Sequence, residues 1–302
     1  MWVTVITTVI VLLAWSFTLG NRNLAGFIEI DGSSTVFPIT QAVAEEFHEL
    51  FPDVYPIVGV SGTGGGFKRF TVGETDISDA SRPIKDSEAQ SAAENGIDYI
   101  EFEIALDGIA VVVNHDNTWV DHLTVEELNL IWNSDSVVSM WNDIRPEWPD
   151  QPIRLYGPGT DSGTFDYFTE VIIGESGQSR ADYTASEDDN VLIQGIAGDV
   201  YALGYFGYAY YAENTEILKI VPIDSGYGPI TPTDQTINSG EYSPLSRPLF
   251  IYVNQASLNR SEVRNFVRFY MENAEDLVEE VGYTPLATSI YQQNLATLDQ
   301  QT

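Results

Sequence analysis

Three short segments rich in glycine, serine and threonine occur where a strand-like stretch of this chain runs into a helix-like one. They span residues 32–38, 61–66 and 157–164 and read GSSTVFP, SGTGGG and GPGTDSGT. After residue 26 such strand-like and helix-like stretches alternate along the chain, which is typical of an α/β fold. The start of a helix leaves backbone N–H groups unpaired and carries partial positive charge. Three such loops together predict an anion that is held from several sides.

The neighbours of the first loop show why each loop is assigned to a helix start. Residues 27–30 alternate like a strand, and Pro38 suits the first turn of a helix. Apolar residues then recur at helical spacing, at Ile39, Val43, Phe47 and Leu50. Any single loop could be an ordinary helix cap. The repetition of one layout three times favours a binding site instead.

Familiar phosphate-handling and nucleophile motifs do not account for these loops. The glycine run at residues 62–67 lacks the last glycine of a dinucleotide fingerprint, and Lys68-Arg69 is not the Lys-Ser/Thr pair of a P-loop. Ser162 lacks the Gly-x-Ser-x-Gly spacing of a hydrolase elbow. Nucleotide binding and serine hydrolysis are therefore poorly supported.

The charge of the chain excludes some partners and predicts a habitat. With 45 acidic against 13 basic residues the net charge is −32, so we expect neither nucleic acid nor an anionic membrane surface as a partner. A carboxylate-rich surface of this kind suits a protein that works in high salt, where self-repulsion is screened. We therefore predict a halophilic protein. Because so acidic a chain repels anions at long range, an anion site in it must attract its ligand through local features: burial, converging helix ends and an arginine.

The rarer residue types give no indication of a metal or cofactor. The chain has no cysteine, which excludes disulfides, thiolate metal sites and a lipid-bearing cysteine anchor. Its three histidines show no metal-ligand spacing. We expect no metal, no cofactor and no catalytic residue.

The first residues predict export. Residues 2–19 are uncharged and mainly apolar, as in a signal-peptide core or a short membrane anchor, although no basic residue precedes them and no clean cleavage site follows. We therefore expect a periplasmic or cell-surface protein and exclude the first 25 residues from the fold.

Two apolar strands indicate where the chain passes between two lobes. They cover residues 104–113 and 248–253. The predicted division is a signal peptide or anchor at 1–25, the first part of lobe one at 26–106, lobe two at 107–248 and the second part of lobe one at 249–302. This division places the first two loops in lobe one and the third in lobe two, so the anion would lie between lobes that close over it.

Together these motifs resemble the phosphate-binding proteins of phosphate ABC importers, the component called PstS. The resemblance extends from about residue 28 to 287 and is carried by the motifs at 32–38, 61–67, 79–84, 157–168, 205–208 and 244–249. It implies a two-lobed type II periplasmic-binding fold, with mixed central sheets flanked by helices and a ligand cleft between the lobes. It also implies a non-enzymatic, monomeric receptor that captures inorganic phosphate and delivers it to the membrane permease of an ABC importer.

The resemblance assigns ligand-binding roles to residues of all three loops and of one further motif. Arg82, which follows Ser81 in that motif, could pair bidentately with phosphate; its alternative use is an interlobe or surface salt bridge. The full predicted set is Ser34, Thr35, Val36, Thr63, Ser81, Arg82, Asp161, Ser162, Gly163 and Thr164.

Two departures from the family pattern affect charge and selectivity. Better-known members have an arginine where this chain has Pro158, and an aspartate where it has Ser81. That aspartate accepts a hydrogen bond from the proton which phosphate retains near neutral pH and sulfate lacks. We expect Arg82 to replace the missing charge and Asp161, or secondly Asp79, to replace the missing acceptor.

Other functions remain open at this stage. The nearest alternative is a receptor for sulfate, molybdate or tungstate. An acceptor carboxylate in the site would discriminate against those anions. A phosphate-releasing phosphatase is less well supported, because no metal cluster or activated nucleophile stands out. A membrane-tethered phosphate sensor or adhesion protein is the third.

Overall fold

The computed structural model describes residues 24–160 and 162–301. Its strands, numbered β1 to β12, are Gly26–Gly32, Val54–Val60, Ile77–Ala80, Tyr99–Asn114, Leu123–Thr124, Arg154–Pro158, Thr184–Ser186, Ala202–Gly207, Leu218–Ile220, Ile223–Asp224, Pro229–Ile230 and Ser246–Asn254. Its α-helices, numbered α1 to α10, are Phe37–Leu50, Thr63–Phe70, Asp86–Glu94, Val125–Trp132, Gly163–Phe168, Asp189–Ala197, Tyr208–Ala212, Asp234–Asn238, Ser261–Glu280 and Thr288–Asp299. Two 3₁₀ turns, Trp141–Asp143 and Gln255–Asn259, and a π-helical turn, Thr169–Ile173, complete the elements.

A nine-stranded mixed sheet forms the frame of the molecule. Its strand order is β2-β1-β3-β12-β4-β8-β6-β7, with β9 also paired to β4, and a separate three-stranded sheet has the order β11-β10-β5. β1 runs parallel to β2 and β3, whereas β12 is antiparallel to β3 and β4. The prediction of a two-lobed α/β fold with mixed sheets is confirmed.

The long strand β4 connects the two halves of this sheet. Its first part, up to Gly108, pairs with β12, and its second part, from Ile109 to Val113, pairs with β8. From Ile104 to Asn114 it is buried throughout, because neighbouring elements cover both faces of the sheet. The change of partner lies close to the boundary drawn at 106/107, and β12 begins close to the one at 248/249. The domain limits themselves stay a prediction.

Aromatic packing holds the helix that follows the third loop. Phe168, at the end of α5, stacks on Tyr205 of β8 with 3.8 Å between ring centroids. Trp132 packs edge-on against Tyr205 at 4.9 Å and against Phe168 at 5.8 Å. Because these three rings are buried and β8 pairs directly with β4, the start of α5 is positioned relative to the connecting strand.

Local signals from the sequence also appear in the structure. Thr124 caps α4: its hydroxyl accepts from the Glu127 amide at 3.1 Å, and the Glu127 carboxylate accepts from the Thr124 amide at 2.9 Å. Residues Ser261–Glu280, whose apolar side chains recur at helical spacing, form the helix α9. The apolar run at 2–19 lies outside the described residues. Among the helices that are described, none combines the length and apolar character needed to cross a bilayer.

Candidate anion-binding site

The first loop leads from β1 into α1 and is held against β3. Gly32 passes so close to β3 that an added Cβ would lie 2.1 Å from the carbonyl oxygen of Asp79. The next amide, of Ser33, donates to that same oxygen at 3.0 Å. The Ser33 hydroxyl accepts from the Thr35 amide at 3.2 Å, which leaves Ser34 at the surface of the cleft. Backbone approach and side-chain bonds therefore shape this loop before any ligand is present.

The second loop brings Thr63 to the cleft at the first residue of α2. Gly62, just before it, has a φ of 76°, a left-handed conformation that favours glycine. The Thr63 hydroxyl lies 3.0 Å from the Ser81 hydroxyl and accepts from the Ser81 amide at 3.2 Å. The structure thus joins two predicted site residues, from different motifs, into one hydroxyl pair.

The third loop meets the first loop directly. The Ser162 hydroxyl caps α5 by accepting from the Thr164 amide at 3.2 Å. A Cβ added to Gly163 would lie 2.6 Å from Thr35 Oγ1 and 2.8 Å from its Cα. Since only glycine permits this approach, Gly163 allows the loops of the two lobes to touch. Asp161, the predicted proton acceptor, lies outside the described residues.

Two cavities flank this contact, and Ser34 lines both. The first, of about 310 Å³, is bounded by residues 162–164, by three acidic residues (Asp107, Glu187 and Asp189) and by aromatic and aliphatic residues. The second, of about 220 Å³, is lined by Thr63 and Ser81, by two arginines (Arg82 and Arg247) and by two acidic residues (Asp166 and Glu170). The cleft between the lobes therefore collects hydroxyls from all three loops.

Arg82 reaches the cleft wall but has a strong partner within lobe one. Its guanidinium donates two hydrogen bonds to the Glu88 carboxylate, at 2.9 and 2.8 Å, and lies over the Phe67 ring at 5.4 Å from the centroid. Burial of the Glu88 carboxyl alone would raise its pKa, but hydrogen bonds from Arg82 and from the Lys85 amide outweigh this effect and lower the pKa. Arg82 thus forms a partly buried salt bridge with a residue six positions along the chain, rather than one between lobes.

Arg247 is the cleft residue that sequence reasoning did not nominate. It is the second residue of β12, and its side chain is only 13% exposed. Its guanidinium lies 3.2 Å from the Asp107 carboxylate of β4 and donates to the Thr35 hydroxyl at 3.1 Å. The motif at 244–249 contains this arginine, but only family likeness drew attention to that motif.

Two carboxyls near the loops, those of Asp107 and Asp79, are deeply buried. Burial raises the pKa of Asp107, and the neighbouring Arg247 opposes that rise. Burial also raises the pKa of Asp79, to about 8, in a position beside Thr40 and Asp31. Asp107 lines the larger cavity, whereas Asp79 lines neither cavity described above. Within residues 24–160 and 162–301 no group of three or more His, Asp or Glu side chains is arranged to hold a metal ion.

Comparison with known proteins identifies the class of protein that this cleft defines. The family described as "PBP superfamily domain" matches residues 15–274. A relative from Staphylococcus saprophyticus, "Phosphate-binding protein PstS", is 40% identical over 276 residues, covering 91% of this chain and 85% of its own. "Protein SphX" from Synechocystis is 51% identical over 267 residues, with coverage of 87% and 80%.

Solved structures give the same result. The crystal structure of "a possible phosphate binding protein" from Planctomyces limnophilus has a TM-score of 0.89 and 52% identity, covering 92% of this chain and 99% of its own. An "ABC-type phosphate transport receptor" from Vibrio cholerae has a TM-score of 0.66 and 25% identity, with coverage of 85% and 99%. The chain belongs to the PBP superfamily and, within it, to the PstS-type phosphate-binding proteins, which are binding proteins and not enzymes.

Proposed function

We propose that this protein captures inorganic phosphate outside the cytoplasm and delivers it to the membrane permease of an ABC importer. The observation that carries the proposal is the convergence of three helix-start loops on two adjoining cavities that share Ser34, one of which holds a mostly buried arginine. Helix starts and hydroxyls together suit a tetrahedral anion, since their donors point at it from several directions. The choice of phosphate as the anion is supported by relatives that match most of the chain and whose names describe them as phosphate-binding.

The proposed ligands are the residues that the sequence nominated. Lobe one would supply the backbone and hydroxyl donors of Ser34, Thr35, Val36 and Thr63, together with Ser81 and Arg82. Lobe two would supply Asp161, Ser162, Gly163 and Thr164. About ten hydrogen bonds, many of them charge-assisted at roughly 1.5–3 kcal/mol each, exceed what micromolar binding requires after association costs.

Selectivity for phosphate requires a carboxylate that accepts its remaining proton. We keep Asp161 as the first candidate and add Asp107, because Asp107 lines the same cavity as Ser162 and Thr164. Sulfate has no proton to donate at neutral pH, so an unprotonated acceptor would repel it. Asp79 becomes a weaker candidate, since its carboxyl packs against Thr40 and Tyr270 rather than against either cavity.

Calorimetric titration of the full chain, in mild detergent and high salt, tests this function. We expect phosphate to bind with a dissociation constant of about 1 µM or below, and sulfate to bind at least about 100-fold more weakly. Asp161→Asn and Asp107→Asn are compared, and the variant that loses discrimination identifies the acceptor. Equal binding of sulfate by the unaltered chain would indicate a general oxyanion receptor. A folded sample that binds neither anion would contradict the proposal.

The cellular setting of this function is also proposed. Export fits the apolar residues 2–19, which act in our proposal as a signal peptide or a membrane anchor. A monomeric state and a requirement for high salt, the latter expected from the net charge of −32, remain predictions of the sequence. Sedimentation of the purified chain across a range of salt concentrations measures both.

A further inference from the structure

Arg247 occupies the place where both lobes and the connecting strands meet. Its Nε and Nη2 atoms donate to Asp107 Oδ2 at 3.3 and 3.2 Å, which ties it across the strand pair β4–β12. Nη2 also donates to Thr35 Oγ1 at 3.1 Å, in the first loop of lobe one. This side chain therefore connects strands β4 and β12 to a loop of the anion site.

The same guanidinium also contacts the helix that follows the third loop. Its central carbon lies 3.7 Å from the centroid of the Tyr167 ring, which belongs to α5, the helix that follows the third loop. The Tyr167 hydroxyl donates to the carbonyl oxygen of Pro244 at 2.6 Å, three residues before Arg247. A cation over an aromatic face is attracted by the ring, and more strongly where water is excluded. Tyr167 thus holds α5 against the segment that carries Arg247.

One side of the Arg247 guanidinium remains available to a ligand. Its Nη1 atom donates no hydrogen bond to any residue in the part of the chain that the structure describes, and Arg247 lines the smaller cavity with the Thr63 and Ser81 hydroxyls. Arg82, by contrast, makes its direct contacts with neighbouring residues, Glu88, Pro83 and Phe67, and only the charge of Glu170 acts on it from beyond the third loop. Of these two arginines, Arg247 is the one that directly contacts both the first loop and the helix behind the third loop.

We propose that Arg247 couples anion binding to closure of the lobes, an inference that rests on the proposed function. The anion would accept from Nη1 while Nε and Nη2 stay on Asp107 and Thr35, which locks the guanidinium plane. A fixed guanidinium then keeps the Tyr167 ring, and with it the third loop, over the first loop. Arg247 is in this view the main cationic ligand and a positioning residue for lobe two, with Asp107 as its orienting partner.

The test compares Arg247→Lys with Arg82→Lys in the full chain, by phosphate titration and small-angle X-ray scattering. Lysine keeps the charge but lacks the planar guanidinium, whose donors point in fixed directions towards Asp107, Thr35 and an anion. We expect Arg247→Lys to weaken phosphate binding by about 30- to 100-fold, as for the loss of a charge-assisted hydrogen bond. We also expect it to abolish the ligand-induced decrease in radius of gyration. Arg82→Lys should weaken binding by less than about tenfold and keep that decrease.

A second pair of variants isolates the contact between the Arg247 guanidinium and the Tyr167 ring. Tyr167→Leu removes the ring face, so we expect binding about 3- to 30-fold weaker and a smaller contraction. Tyr167→Phe keeps the ring and removes only the bond to Pro244, so it should contract like the unaltered chain. Thermal unfolding establishes that each variant is folded. If an arginine variant does not fold, the comparison of Tyr167→Leu with Tyr167→Phe still tests the coupling role.

The outcomes separate this inference from the proposed function. If the unaltered chain binds no phosphate, the proposed function fails and the inference fails with it. If the unaltered chain binds and contracts, and Arg247→Lys or Tyr167→Leu does so equally well, the coupling role alone is wrong. Equal defects in Tyr167→Phe and Tyr167→Leu would also overturn it, because the ring face would then not be the coupling element.

Discussion

Replacement of Gly163 by alanine is expected to weaken phosphate binding by at least about tenfold, equivalent to about 1.4 kcal/mol, without unfolding the chain. The added methyl group would lie within 3 Å of both Oγ1 and Cα of Thr35. Because Thr35 is itself held by the Ser33 hydroxyl and by Arg247, it cannot simply move aside. The two loops would separate, and the anion would lose donors from one of them. Phosphate titration measures the loss of affinity, and small-angle scattering measures the change in shape that accompanies separation of the loops.

Gly64→Ala is the matched control for this prediction. Gly64 also lies in the first turn of a site helix, but among the described residues no atom outside the helix's own nearby backbone lies within 4 Å of an added Cβ there. Alanine is moreover the better helix former, so a small gain in stability is expected. If both alanine variants lost affinity equally, close approach at Gly163 would not be the cause. Unchanged binding by Gly163→Ala would show that the contact with Thr35 is not needed for capture.

Asp79→Asn is expected to stabilise the folded protein at alkaline pH by roughly 2–5 kcal/mol, with the gain disappearing towards pH 4. Asp79 is fully buried, and neither carboxyl oxygen has a well-formed hydrogen bond to another described residue, although the Thr40 hydroxyl is near enough to limit the rise in pKa. Burial raises the pKa of this carboxyl from 3.8 to about 8. Between those values the folded chain keeps a proton that the unfolded chain has lost.

The sign of the pH dependence follows from this difference. Stability falls as pH rises from about 4 to about 8, because the unfolded state binds fewer protons than the folded state. Asparagine cannot ionise, so Asp79→Asn removes this loss. Denaturant unfolding at pH 5, 7 and 9 in high salt measures this loss of stability in the unaltered chain and its absence in the variant. Asp53→Asn makes the same charge change at an exposed position and should leave the slope unaltered. A variant of Asp79 that is less stable at every pH would contradict the prediction.

Local chemistry allowed the sequence to predict the loops. Small residues, a proline at the second position of α1 and apolar spacing behind it act within a few residues of one another, so a single stretch of chain carries the whole signal. The capping pair at Thr124 and Glu127 is readable for the same reason. Strand β4 was predicted as an apolar run, but its length and its change of partner depend on two other strands, so only its core could be located.

The role of Arg247 could not be read in this way. Its partner Thr35 is 212 positions away in the chain, and Asp107 is 140 positions away. Nothing in the residues beside Arg247 encodes those distances. Arg82 was chosen because it follows Ser81 in the motif at 79–84, at a position to which the resemblance assigns ligand binding. The structure shows that Arg82 already bonds Glu88, six positions along the chain, as local charge pairing would allow.

The sequence by itself determined the fold class, the family and the three loops, because helix starts and strand patterns depend on neighbouring residues. The tertiary structure decided how the loops meet. It brought Gly163 against Thr35, placed a mostly buried arginine between Asp107, Thr35 and Tyr167, and removed Asp79 from the cleft walls. These are contacts between residues far apart in the chain, and strand pairing across the sheet, from β1 through β3, β12, β4 and β8 to β6, sets their distances.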